Sequence, residues 1–332
     1  MNIRLLRCLF ILLLLGSGLF HASRADAQIT CTTASMSAVS FGTVNPLSSQ
    51  TSTTATLTYT CTNLSVTKTH SATICFSIGE PAGAQTSPRL MSSGANTLQF
   101  QMYWGSPNGT IWGSQFFGSN TPYVVNLTLG GLGSSNGSAT LYAQVLPGQM
   151  TAAPGLTYAD NYQNGDTAIT INDVQGSTAP GTCSGTQSGV YFPFRVSATT
   201  QKNCNVTANN LTFASVAAGG AVASGSTSIG VTCSNTTPYY IGLAPQNVAG
   251  TTGAGTMKGT GGNTNAITYQ LYSNSSLSTV WGNTATTTSV GNGVAGTGSG
   301  TAQALTVYAK VTGSTDVKPD TYSDTVQINV NY

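Results

Sequence analysis

Gly133-Ser134-Ser135-Asn136-Gly137 sets a serine in a G-x-S-x-G frame, the spacing that exposes a nucleophilic hydroxyl on a tight turn. Acyl transfer there needs a base. Beyond the N-terminal leader the chain carries one histidine, His70, and one glutamate, Glu80. No strand-turn-helix pattern surrounds the serine, so the frame lacks the context that gives it chemistry. Asp160, Asp166 and Asp173 offer carboxylates for glycoside hydrolysis. Asp160, however, has a match, Asp324, within a strand-like ending of the second half, which favours a structural role. Gly291 to Gly296 fits G-x-G-x-x-G, but neither a helix nor an acidic ribose ligand follows, and it reads as a loop. The motifs give no enzyme and no cofactor.

Cysteine is the remaining chemistry. Cys8 lies in the leader, leaving Cys31, Cys61, Cys75, Cys183, Cys204 and Cys233, an even set in an exported chain and hence disulfides. There is no C-x-x-C, and a single histidine makes a structural zinc a poor alternative.

The leader itself is legible. Arg4 and Arg7 precede an apolar run from Cys8 to Leu15, and Ala25-Asp26-Ala27 before Gln28 has the small-residue cleavage pattern. The run is shorter than the ~20 residues that span a bilayer. Residues 28–332 then hold five Lys, two Arg, six Asp and one Glu, a balance of zero. So neutral a chain offers no footprint for nucleic acid or anionic membrane. Ser, Thr, Asn and Gly with scattered Val, Ile, Tyr and Phe suit strands and turns, and no helical apolar periodicity is present. The fold is expected to be all-β.

One unit is written twice. Cys31, Phe41-Gly42 and Cys61 correspond to Cys204, Phe213-Ala214 and Cys233. Leu98 to Tyr103 pairs with Ile267 to Tyr272, Trp112-Gly113 with Trp281-Gly282, Leu141 to Val145 with Val307 to Val311, and Tyr158/Asp160 with Tyr322/Asp324. Such strands and turns imply two tandem immunoglobulin-like β-sandwiches, at 28–199 and 200–332 after a signal peptide at 1–27. The first two cysteines of each copy most simply pair with each other, leaving Cys75 and Cys183 to tie an extra segment, 163–199, onto the first copy.

The copies differ at their ends. Val326, Ile328, Val330 and Tyr332 alternate with polar residues, and the chain stops there. The first copy reaches the matching strand near Ala168 to Asn172, then adds Val190, Phe192, Phe194 and Val196 on one face of a further strand. Pro193 on its other face implies an edge or a bulge. Either the second copy lacks a final strand and exposes an unpaired edge, or it has a smaller sheet.

The Cys…Phe-Gly…Cys opening, Tyr269-Gln270-Leu271-Tyr272, Trp281-Gly282, Val307-Tyr308-Ala309-Lys310-Val311 and the Tyr322-Ser323-Asp324…Val330-Asn331-Tyr332 ending resemble the spore coat protein U family. That family includes pilus subunits of archaic (Csu-type) chaperone–usher systems. The resemblance covers both halves; the first departs at 146–162 and in its extra segment. It implies a two-domain tip adhesin whose second domain, a pilin-type sandwich without its last strand, accepts one from a periplasmic pilus chaperone or the neighbouring pilin subunit. Partners would then be that chaperone, the outer-membrane usher and a hydrophobic or host surface. The site of action would be the cell surface, with a role in biofilm formation. Only Gln28, Ile29 and Thr30 precede Cys31, too few to donate a strand in return. The resemblance also implies that the Tyr332 carboxylate is held by the chaperone. A secreted coat or matrix protein outside any pilus is the alternative.

A binding surface is expected on apolar loops that the second copy lacks: Trp104, Ile111, Phe116 and Phe117, with Leu146 and Met150. Leu90-Met91 and Val44 to Leu47 are further candidates, whereas Trp112, matched by Trp281, belongs to the core.

Overall fold

The computed structural model describes residues 28–48, 50–79, 88–116 and 121–332. The leader, Glu80 and Phe117 fall outside the described residues. Chain order begins with β1 (Ile29–Met36), β2 (Val39–Val44), β3 (Thr51–Asn63), β4 (His70–Ile78), β5 (Arg89–Ser93) and β6 (Asn96–Trp104). It continues through β7 (Thr110–Ile111), β8 (Tyr123–Leu129), β9 (Ser134–Val145), β10 (Thr157–Tyr162), β11 (Thr167–Gln175), β12 (Thr186–Gln187) and β13 (Phe194–Thr200). The second half supplies β14 (Cys204–Ala208), β15 (Ser224–Cys233), β16 (Pro238–Pro245) and β17 (Ala254–Lys258). It closes with β18 (Ala266–Tyr272), β19 (Val294–Thr297), β20 (Gln303–Val311) and β21 (Val326–Asn331).

The chain is all-β, in two sandwich units. In the first, the sheet β1-β3-β9-β6-β5-β10-β13-β2, with β7 on β6, packs on β12-β11-β4-β8. In the second, β14-β15-β20-β18-β17 packs on β19-β16-β21. Period-two alternation drives each interior. Ala55, Leu57, Tyr59 and Cys61 on β3 point inward while the intervening threonines meet solvent. Ile229, Val231 and Cys233 repeat this on β15. Trp112 and Trp281 are both core residues, and each indole donates at 2.8 Å to a carbonyl of the facing sheet, Phe76 and Ile241 respectively.

All three expected disulfides are present: Cys31–Cys61, Cys75–Cys183 and Cys204–Cys233. The second explains why β4 is buried at every position. Its Ala72, Ile74, Phe76 and Ile78 face the core, and the segment tethered by Cys183 covers its other side. There Gly181 N donates to Thr73 Oγ1 at 2.9 Å and Ser71 Oγ to Gly176 O at 2.8 Å.

β13 is antiparallel to β10 and parallel to β2. Phe192, Phe194, Val196 and Ala198 point inward, and the rings of Phe192 and Phe194 stack on Trp112 at 6.0 and 6.3 Å. Pro193 stands just ahead of the first paired residue, Phe194, where β13 has only β10 beside it. β2 joins from Val196 onward, with a register shift between Ser197 and Thr199, so the proline sits where the strand is still an edge.

Among the described residues, no strand takes that place in the second unit. Its Tyr322–Asp324 stretch touches β17 through a single Lys258–Ser323 bridge, as β10 touches β5 through Ala159–Ser92. Beyond it the sheet ends. Val39, Phe41 and Val44, on β2 beside β13 in the same sheet, are buried, whereas their counterparts Leu211 and Phe213 are half-buried and Val216 is exposed.

Candidate functional site

Strand directions sort the loops into two poles. The chain leaves β13 at Thr200 to enter β14 at Cys204, so that end of the first unit faces the second. β10 is antiparallel to β13, so Tyr162 lies at the far pole. β6 and β10 are both antiparallel to β5, which places Trp104 there too. β9 runs against β6 and β3 against β9, so the end of β3 at Asn63 and the start of β9 at Ser134 share that pole.

Trp104, Ile111 and Phe116 therefore gather at the far pole, in different states. Trp104 is half-buried, its ring edge-on to Tyr123 at 6.0 Å and its Nε1–H directed at Thr121 O at 3.4 Å. Ile111 is half-buried opposite Tyr103. Phe116 is 44% exposed and, with Tyr191, flanks an open cleft of about 300 Å³ reaching Ser77, Asp166 and Gln187.

Leu146 and Met150 do not join them. They follow β9 at the opposite pole, where the loop meets the second unit: Asn235 Nδ2 donates to Thr151 O at 2.9 Å. Gly300, at φ +78°, leaves no room for a Cβ against the Met150 carbonyl. Met91, Val44 and Pro46 are buried, which removes them from any surface, while Leu90 remains exposed. Tyr332 is exposed at the end of β21.

Adjoining turns at the far pole carry a feature the loop comparison missed. Leu64, Val66 and Leu132 are 58%, 71% and 66% exposed. Leu132 holds φ at +56°, a left-handed conformation that disfavours a Cβ-bearing side chain. Its amide donates to Ser65 O at 2.7 Å, so one turn rests on the other. The buried Asn63 amide braces both by donating to Lys68 O, Leu129 O and Gly130 O. The sequence signal was an apolar residue inside Gly130-Gly131-Leu132-Gly133.

Beneath this pole lies Arg89, fully buried at the start of β5. Its guanidinium donates to Trp112 O at 2.9 Å, Tyr162 Oη at 3.0 Å, Ile78 O at 3.5 Å and Gly79 O. Gly79 and Trp112 open two of the polar connections, so one side chain fixes where both begin. The counterpart position in the second unit is Gly255, against the Tyr269 ring. Nothing in a lone arginine between Pro88 and Leu90 announced this burial.

Asp160, beside Arg89, has its carboxyl pushed up to about 6 by burial, against the lowering effects of Tyr162 and Arg89. The folded state thus holds a proton that the unfolded chain, ordinary near 3.8, releases earlier. Its contribution to stability is full below about pH 4 and is lost as pH rises through about 6. We expect Asp160→Asn to flatten the stability profile across that interval, read by denaturant unfolding at stepped pH; an unchanged slope would assign it to another group.

The enzyme motifs disperse. His70 Nδ1 lies 3.1 Å from Asp173 Oδ2 in one sheet, while Ser135 pairs with Cys61 in the other. Asp166 caps a short turn by accepting Gln163 N at 2.7 Å. Gly291 to Gly296 is a turn entering β19, with Gly291 at φ +52°.

A family model, the Spore Coat Protein U domain, matches residues 17–163 and again 190–329. The chain belongs to this Spore Coat Protein U domain family. Its second match begins at Val190, ahead of Cys204. By sequence, then, β13 falls with the second unit of this Spore Coat Protein U domain protein, and in space it completes the first. Among solved structures, the chain is similar to the CsuC–CsuE chaperone–tip adhesion subunit pre-assembly complex from archaic chaperone–usher Csu pili of Acinetobacter baumannii. Identity is 15% and the TM-score 0.52, over 90% of this chain and 100% of that one. The CupB6 tip adhesin of Pseudomonas aeruginosa is matched at 11% identity and TM-score 0.37, over 90% of this chain and 96% of that one. No curated protein sequence matches the chain.

Proposed function

We propose that this chain is the tip adhesin subunit of a chaperone–usher pilus, non-enzymatic, exported through the periplasm and displayed at the cell surface. One observation carries the reading: the first unit has β13 across its core, and the second has nothing there. A sandwich open along one edge, with Leu211 and Phe213 half-exposed in the gap, is completed by a strand from another chain. That strand comes from a periplasmic chaperone during export and from the neighbouring pilin after passage through the usher. Ile29 and Thr30, ahead of Cys31, are already paired with Asn63 and Thr62 in their own unit, which supports a subunit that receives a strand without giving one. Co-expression with the chaperone of its own system tests this. The expected result is a soluble complex with chaperone and degradation or aggregation without it. A stable monomer made without chaperone would overturn the reading and favour the coat protein.

Adhesion is assigned to the far pole, through Leu64, Val66, Leu132 and Phe116 together with half-buried Trp104, against hydrophobic surfaces, in support of biofilm formation. Leu132 supplies a sharp test, because its strained backbone and its exposed side chain make opposite predictions. Leu132→Gly is expected to stabilise the protein by about 1 kcal/mol by relieving the left-handed conformation. It is also expected to lower attachment of piliated cells to polystyrene several-fold, since burying a leucine contributes about 1.5–3 kcal/mol. Undiminished attachment by a stabilised variant would remove this leucine from the surface.

A further inference from the structure

Gln28 is held on both sides of its backbone. Its nitrogen lies 2.9 Å from Asp173 Oδ2, and its carbonyl accepts from Leu64 N at 2.7 Å. Ile29 is buried behind it, and Cys31 is bonded to Cys61 two residues on. Asp173 stands on β11 with its side chain 4% exposed. His70 on β4 directs Nδ1 at the same oxygen, 3.1 Å away, and Oδ1 accepts no hydrogen bond among the described residues. Among those residues no lysine or arginine forms a salt bridge with this carboxylate. A buried carboxylate without a fixed cation is costly, and a mature chain starting at Gln28 would place its amino group there.

We propose that cleavage before Gln28 turns this backbone nitrogen into an α-ammonium that forms a buried ion pair with Asp173. Leader removal then completes the first unit electrostatically and holds the terminal glutamine against cyclisation. The proposal rests on the sequence-based cleavage position. An amide N–H offers one neutral donor, whereas an ammonium brings a full charge and further donors to the same oxygens. Cyclisation needs the neutral amine. Its lone pair attacks the side-chain carboxamide carbon, a ring N–C bond forms, the bond to the amide nitrogen breaks and ammonia leaves. A protonated nitrogen seated on Asp173 has no lone pair to give.

The test uses the full chain, secreted with its own leader alongside its chaperone. Its N-terminus is read by mass spectrometry before anything else. An N-terminus other than Gln28 would overturn the proposal while leaving the tip-subunit reading intact. With Gln28 first, the α-amine is expected to acylate about tenfold more slowly than in Asp173→Asn. The variant is also expected to accumulate the ammonia-loss form on ageing, and the parent protein is not. Inserting one alanine before Gln28 displaces the ammonium and should lower Tm by roughly 2–4 °C. That loss should vanish in the Asp173→Asn background. Equal acylation in both proteins, or an insertion penalty unchanged by Asp173→Asn, would overturn the ion pair. Should Asp173→Asn fail to fold, amine reactivity in the parent against the alanine-inserted protein decides alone.

Discussion

Replacing Arg89 with methionine is expected to destabilise the first unit by about 3–5 kcal/mol, the range for breaking a buried charged pair by removing one partner. The guanidinium serves the carbonyls of Ile78, Gly79 and Trp112, all on buried residues, and sits beside the Asp160 carboxylate. Methionine fills the volume but leaves each acceptor unsatisfied, at about 1–3 kcal/mol for a buried orphan. Arg89→Lys should fail to rescue, since one ammonium cannot span carbonyls that the planar fork reaches together. Thermal unfolding measures the loss, roughly 2–4 °C per kcal/mol in a domain of this size. Hydrogen exchange should localise it to the connections after Gly79 and Trp112. A variant within 1 kcal/mol of the parent would mean that water or a loop shift satisfies those carbonyls, and the pole does not depend on this side chain.

A synthetic strand offered to the second unit should act in the opposite direction. Phe192, Phe194, Val196 and Ala198 show what completion looks like in the first unit: alternate inward side chains laid on Trp112. In the second unit Trp281 is buried at the matching position, and Leu211 and Phe213 are only half-buried against the same core, so they are the side chains an added strand would cover. A peptide alternating apolar and polar residues, at about a thousandfold excess over its Kd, stabilises the bound form by ~4 kcal/mol. That corresponds to roughly 14 °C in the second unit's transition. The first unit's transition should not move, because β13 already occupies its place. Scanning calorimetry of the chain, with the chaperone displaced, separates the two transitions. A shift in both, or in neither, would mean that the second unit's edge is not an acceptor.

Much of this molecule was legible in its residues. Period-two alternation on β3 and β15 announced buried faces, because a strand's side chains alternate whatever its neighbours are. Repetition of the Cys–Phe–Cys opening and of Trp-Gly announced two units; the places of the cysteines in the two copies made one pairing the simplest, and the folded chain decided it. Phe192, Phe194 and Val196 could be assigned to one face for the same reason.

Alternation names a face but not a neighbour. That β13 lies between β10 and β2, parallel to the latter, depends on partners distant in sequence, and only the folded chain settled it. Loop poles depend on strand direction in the same way. Leu146 and Met150 resembled Trp104 and Phe116 in composition, yet the antiparallel course of β9 against β6 sent them to opposite ends. Arg89 and Asp173 were ordinary charges in the sequence. Their burial arises where separate segments converge on one point, and no local pattern encodes that convergence.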